Sequence, residues 1–177
     1  MALIDLLDAE EAARRMDEVD TLLDVAGRTY ESPYDRAVLH NPGVVEALFD
    51  FHVQLRESGP VDRVLYEYIM VVTATVNDCT YCAASHRKKL KDAADLSLSE
   101  VSAISKGDYT AVPERERTIL EFVERVAEDP HDLGAEDIES LEAIGFDVAD
   151  VLQLVTFVGE CTISNTIMSA LDIHPTD

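Results

Sequence analysis

The chain has no tryptophan, only 6% aromatic residues, and 14 basic side chains against 36 acidic ones among 177 residues. The first two shortages predict a core of aliphatic side chains. The third leaves a formal net charge of -22, a surface that would repel nucleic acid and anionic membranes. The amino terminus lacks a basic start with a long apolar run behind it, and the longer apolar stretches are interrupted by polar or acidic residues. Neither a signal sequence nor a membrane span is expected, and a cytoplasmic location follows. Thiols in that compartment are normally reduced, so a cysteine pair there is read as catalytic or metal-binding before it is read as a structural bridge.

Also missing are a Gly-rich strand-to-helix turn, an alternating strand pattern and a convincing repeat. Almost every stretch instead has helical period. Val44, Val45, Leu48, Phe49 and Leu55 form a stripe bounded by Asn41-Pro42-Gly43 and Ser58-Gly59-Pro60. Val61 to Val76 repeats the spacing; its β-branched run hints at a strand, but about sixteen periodic residues exceed the usual strand length. Asn77-Asp78 interrupts that pattern and offers capping side chains for a helix beginning near Cys79. Ser97 with Glu100 makes a capping box for a short helix ending near Gly107, and Pro113 opens the next. Gly134 to Gly145 encloses another. From Asp147 a long apolar helix, buried on most sides, runs toward Leu171, and Ala9 to Val25 forms an acidic amphipathic helix on the outside. The expected fold is all-α, with seven or eight helices in one domain, as the length allows.

The acidity is not a tail. Glu114, Glu116, Glu121, Glu124 and Glu128 lie within an apolar-periodic segment, so the charge belongs to folded faces, and adaptation to high salt is the preferred reading.

Chemistry concentrates in Cys79-Thr80-Tyr81-Cys82-Ala83-Ala84-Ser85-His86. On a helix these two thiols and the imidazole stand at i, i+3 and i+7, on one face. A helix amino terminus lowers the pKa of a thiol, and an imidazole one turn on can take and return its proton. Glu67, acidic within a largely apolar helix, could orient that imidazole. Zinc is the rival reading, with Cys79, Cys82, His86 and Glu67 as four ligands, although no second ligand pair exists. Cys161 reads as a core residue, Glu160 and Asn165 as helix or subunit contacts, His40 as packing near the Asn41-Pro42 turn, and His52, His131 and His174 as surface or boundary residues. A thioredoxin-like reading would need a βαβ context that is absent.

Glu67, Cys79, Cys82 and His86 together resemble the Glu…Cys-x-x-Cys-x-x-x-His signature of the AhpD-like branch of the carboxymuconolactone decarboxylase superfamily. The likeness extends to His40-Asn41-Pro42 at a helix entry and to Asn165 in the last helix. It spans residues 36–172, leaving 1–35 as an acidic amphipathic segment packed on the domain and 173–177 as a short tail. The resemblance implies a thiol-dependent alkylhydroperoxidase or thiol-disulfide oxidoreductase with no cofactor. Cys82 would be the nucleophile, and Cys79 would supply the proton and then close a Cys79–Cys82 disulfide. Glu67 and His86 would relay protons. The implied partners are a small hydroperoxide or disulfide substrate, a thiol electron donor and further copies of the chain in a trimer or hexamer. Tyr81, where founding members carry histidine, resembles the shorter peroxidase-related proteins and reads as packing first and as an accessory to the site second. A decarboxylase on the same fold and a zinc-binding or interaction protein are the alternatives.

Overall fold

Seven of the nine described helices start at a residue whose side chain accepts a first-turn N–H: Asp8, Ser32, Asn41, Asp62, Cys79, Ser97 and Asp147. Four N–H groups are unpaired at every helix start, so these short acceptors set where each helix begins. In the computed structural model, which describes residues 2–22 and 30–175, the helices are α1 (Ala9–Met16), α2 (Pro33–Val38), α3 (Pro42–Glu57), α4 (Arg63–Val76), α5 (Thr80–Ala94), α6 (Leu98–Ile104), α7 (Glu114–Glu128), α8 (Ala135–Ala143) and α9 (Val148–Ala170). No strand occurs among the described residues.

The architecture agrees with the all-α expectation, with three differences. The short α2, six residues opened by Ser32 and Pro33, was not anticipated as a separate helix, and the division placed at residue 35 falls inside it. The amino-terminal helix ends at Met16 with Asp17 as its cap, well short of Val25, and residues 23–25 lie outside the described residues. Asn77 and Asp78 do not cap α5. They end α4 instead: the Asp78 N–H reaches the Thr75 carbonyl at 3.1 Å and the Cys79 N–H reaches the Ala74 carbonyl at 2.9 Å, with Asp78 in the left-handed region at φ 53°. This paired return of N–H groups onto the last turn is a Schellman ending, usually built on glycine and tolerated by aspartate. It leaves Cys79 itself as the cap of the next helix.

α4 is the central helix, packed against α5, α7 and α9. Ile69 and Val72 of α4 meet Ile119, Leu120 and Val123 of α7 and Leu154 and Phe157 of α9 in the largest apolar cluster. A second cluster joins Met70 and Ala74 to Cys79, Cys82, Ala83, Cys161 and Met168. A third seats Leu7, Ala12 and Met16 against Val38, Val45 and Phe49. The thiol motif therefore grows from the middle of the core.

α9 is less enclosed than its composition suggests. Its 23 residues, with mean hydropathy 1.3 over an 18-residue window, are long and apolar enough to cross a membrane by length and composition, yet it packs along α4 and α7. Val148, Leu152 and Ile163 remain exposed on its outer side, so it is buried on one side rather than most. Gln153 is buried on the inner side, where its Nε2 donates to the Leu55 carbonyl at 2.7 Å and its Oε1 accepts from the Val61 N–H at 3.2 Å. Gly59 makes this approach feasible, because a Cβ there would lie 2.5 Å from Gln153 Oε1. One amide thus pins the turn between α3 and α4.

Acidic side chains crowd the outer face of α7, where burial and the nearby Glu128 and Glu121 raise the pKa of Glu124. Salt should screen this repulsion in the folded state more than in the expanded chain. The melting temperature is expected to climb between dilute buffer and molar potassium chloride, by about 2–4 °C for each kcal/mol of repulsion relieved. A calorimetric transition that stays put across that range would show that the charge is accommodated without strain.

Candidate active site

The two cysteines differ because of where the helix begins. Cys79 is the cap of α5, and its Sγ accepts the N–H of Cys82 at 3.4 Å. An acceptor at that position carries charge well, since unpaired N–H groups and the positive end of the helix dipole face it. The Cys82 thiol also donates to Cys79, and this bond is the largest influence lowering the Cys79 pKa to about 6, against burial, which opposes it. The same hydrogen bond, reinforced by burial and the adjacent negative sulfur, pushes Cys82 far up. The pair thus holds a single shared proton. The cap position favours that proton on Cys82 and the negative charge on Cys79.

Cys82, and not Cys79, lines a cavity of about 560 Å³. His86 lies one turn further along α5 on the same cavity wall. Its Nδ1 is 2.7 Å from Glu67 Oε2 on α4, and both side chains are nearly enclosed, at 11% and 7% exposure. A carboxylate can only accept, so Nδ1 carries the hydrogen and Nε2 is left as a base. Burial lowers the pKa of His86, with the Glu67 hydrogen bond opposing it, so the ring is neutral at neutral pH. Glu67, Cys82 and His86 meet at one wall, with Cys79 directly behind.

Tyr81 reaches toward α2. Its hydroxyl accepts the N–H of Tyr34 at 3.3 Å, one of the first-turn donors of α2. It also lines the cavity, and burial raises its pKa. Tyr81 ties the thiol helix to α2, which is a packing role. Cys161 is fully buried, with its Sγ 3.8 Å from both the Met70 carbonyl and Asn165 Oδ1, and desolvation keeps it protonated. Asn165 spends its amide on Cys161 within α9. His40 makes a 2.9 Å hydrogen bond to the Asp5 carbonyl.

Two site members were missed, His52 and Glu160. His52, read from sequence as a surface or boundary residue, is partly buried, and its Nδ1 is 2.7 Å from Glu160 Oε1. Both line the cavity that holds Cys82 and His86. Tyr66 stands between the two imidazoles, with ring centroids 5.1 Å from His52 and 6.1 Å from His86, both edge to face. The second oxygen of Glu160 is buried with no hydrogen-bond partner among the described residues. Residues 52 and 160 are 108 positions apart, and no sequence spacing links them.

Among the described residues no three His, Cys, Asp or Glu side chains converge as a metal site. The donors proposed for zinc are otherwise engaged, Cys79 on the α5 amino terminus and Glu67 on His86.

Residues 42–124 match the model of the carboxymuconolactone decarboxylase family. No curated protein matches the chain. Among solved structures, the fold is shared with an alkylhydroperoxidase AhpD core, an uncharacterized peroxidase-related protein from Ralstonia eutropha JMP134, at TM-score 0.81 and 22% identity over 99% of this chain and 93% of that one. A peroxidase-related protein from Silicibacter sp. TM1040 follows at TM-score 0.77 and 17% identity, over 98% and 88%. The debrominase Bmp8 aligns at TM-score 0.67 and 16% identity, over 93% and 83%.

Proposed function

We propose, from the match of residues 42–124 to the carboxymuconolactone decarboxylase family and the fold shared with an AhpD core, that the chain is an AhpD-like thiol peroxidase whose Cys79–Cys82 dithiol reduces organic hydroperoxides. The observation that carries this reading is the unequal pair: a Cys79 sulfur that caps the helix and accepts the Cys82 N–H, and a Cys82 thiol at the cavity with a carboxylate-oriented imidazole one turn away.

The chemistry runs in two steps. The pair's one proton moves from Cys82 to Cys79, with Nε2 of His86 as the relay, and the resulting Cys82 thiolate attacks the outer oxygen of the hydroperoxide. The O–O bond breaks, oxygen is transferred to sulfur as Cys82 sulfenic acid, and the departing alkoxide recovers that proton through His86 to leave as an alcohol, returning Cys79 to the thiolate. The Cys79 thiolate then attacks the sulfenic sulfur, forming the Cys79–Cys82 disulfide and releasing hydroxide, which solvent protonates to water. Two electrons have passed from the dithiol to the peroxide, and an external thiol donor must return them. Assembly into a trimer or hexamer would cover the exposed apolar side chains of α9.

The thiol asymmetry has a direct signature. Thiolate ultraviolet absorbance of the reduced chain should rise by one equivalent with a midpoint of about 6, because below that pH Cys79 is protonated and above it the cap carries the charge. Cys79→Ala should delete this step. A first midpoint near the ordinary thiol value of about 8.5 would remove the capped thiolate from the mechanism.

A further inference from the structure

The accessible charges on the cavity lining are all of one sign, and it is the sign the chain is short of. Arg63 and Lys89 are exposed and Arg56 is half-buried, in a protein with 14 basic residues against 36 acidic ones. None of the three is in an ion pair among the described residues. The carboxylates of the same lining are held inside: Glu67 on His86, Glu160 on His52 through one of its oxygens, and buried Asp35 on the Ser32 hydroxyl at 2.6 Å. Positive charge is therefore left at the mouth, and negative charge is kept at depth.

The placement is built into the helices. Arg63 is one turn before Glu67 on α4, and Lys89 is nearly one turn beyond His86 on α5. The Glu67–His86 contact fixes the register of these antiparallel helices, so the two cations come to the same level of the hairpin. Seven residues separate Cys82 from Lys89, roughly 10 Å along the helix. Arg56 ends α3 across the turn that Gln153 pins, and its guanidinium lies 5.8 Å from the centre of the Tyr66 ring, a cation–π contact that holds it at the cavity wall.

Resting on the peroxidase reading, we propose that the substrate is an amphipathic carboxylate, bound with its anionic group between Arg56, Arg63 and Lys89, its apolar body against Leu48, Phe49 and Met70, and its reacting end at Cys82. Guanidinium forks match a carboxylate in two-point geometry, which an alcohol or amide cannot reproduce. The protein's net acidity disfavours anions over the surface as a whole, so recognition at this mouth is local.

The test uses octanoate, whose length suits the span and which cannot react, against octanamide, in calorimetric titrations of the reduced protein. Octanoate should bind at least tenfold more tightly, the advantage should shrink as salt rises, and Arg56→Gln with Arg63→Gln should reduce it to threefold or less. Lys89→Gln, at an exposed position, should give a smaller loss on its own. Equal binding of octanoate and octanamide, or an advantage that survives the double variant, overturns the proposal. Oxidation of the unaltered chain by uncharged cumene hydroperoxide separates the two claims. Cumene oxidation without carboxylate preference sinks only the substrate class, while carboxylate preference without any peroxide oxidation supports this mouth and sinks the peroxidase reading.

Discussion

Cys82→Ser is expected to hold its mass unchanged after brief exposure to cumene hydroperoxide, while the unaltered chain loses two hydrogens mapped to Cys79–Cys82. Serine keeps the size and the hydrogen bond but offers no sulfur for oxygen to reach, so peroxide consumption should fall to the uncatalysed rate. Cys79→Ser should behave differently. It retains the cavity-facing thiol and loses the resolving one, so the expected product is a chain carrying one extra oxygen, trapped as a sulfenic acid by a dimedone-type reagent. Cys161 supplies the internal control, because a thiol with no exposure and no ionisation near neutral pH should stay reduced throughout. Disulfide formation in the Cys82→Ser chain between Cys79 and Cys161 would mean that the wrong thiols have been assigned.

That these residues could be named before the fold was known follows from the local nature of the signal. Cys79, Cys82 and His86 lie on one helix within eight residues, and helix geometry alone puts them on one face. Glu67 required only that the preceding helix fold back antiparallel, which a short connection almost guarantees. Even so, the electrostatic order within the pair was not legible. It depends on which residue caps α5, and the Asn77-Asp78 dipeptide looked like the better cap until Asp78 was seen in a left-handed ending of α4.

What sequence could not show are the contacts that cross the bundle. His52 and Glu160 meet because α3 packs directly on α9, and the buried polar Gln153 finds its partners at the α3–α4 turn for the same reason. The cationic mouth is of this kind too, since Arg56, Arg63 and Lys89 come from three helices and carry no shared spacing. The exposed apolar side of α9 escaped because a nearly all-apolar helix has no periodicity from which a buried face could be chosen.

The second large effect concerns Glu67, a positioning residue acting through His86. Glu67→Gln keeps the shape of the contact, but an amide can donate to Nδ1 and so move the ring hydrogen to Nε2, leaving no base beside Cys82. Peroxide-driven disulfide formation should slow by about 10²–10⁴-fold, the usual range for removing a positioned acid–base group. His86→Ala should cost a similar factor. The double variant should be no slower than the worse single, because the two residues act as one unit and their losses do not add. A merely structural role for Glu67 would instead disturb the packing of α4 on α5 and with it the cap at Cys79. The thiolate titration separates these cases: its midpoint should remain at about 6 in Glu67→Gln, since the hydrogen bonds that lower it come from Cys82 and the α5 backbone. A slowed reaction with an unmoved midpoint assigns Glu67 to the imidazole; a slowed reaction with the midpoint back near the ordinary thiol value would make it a support of the fold.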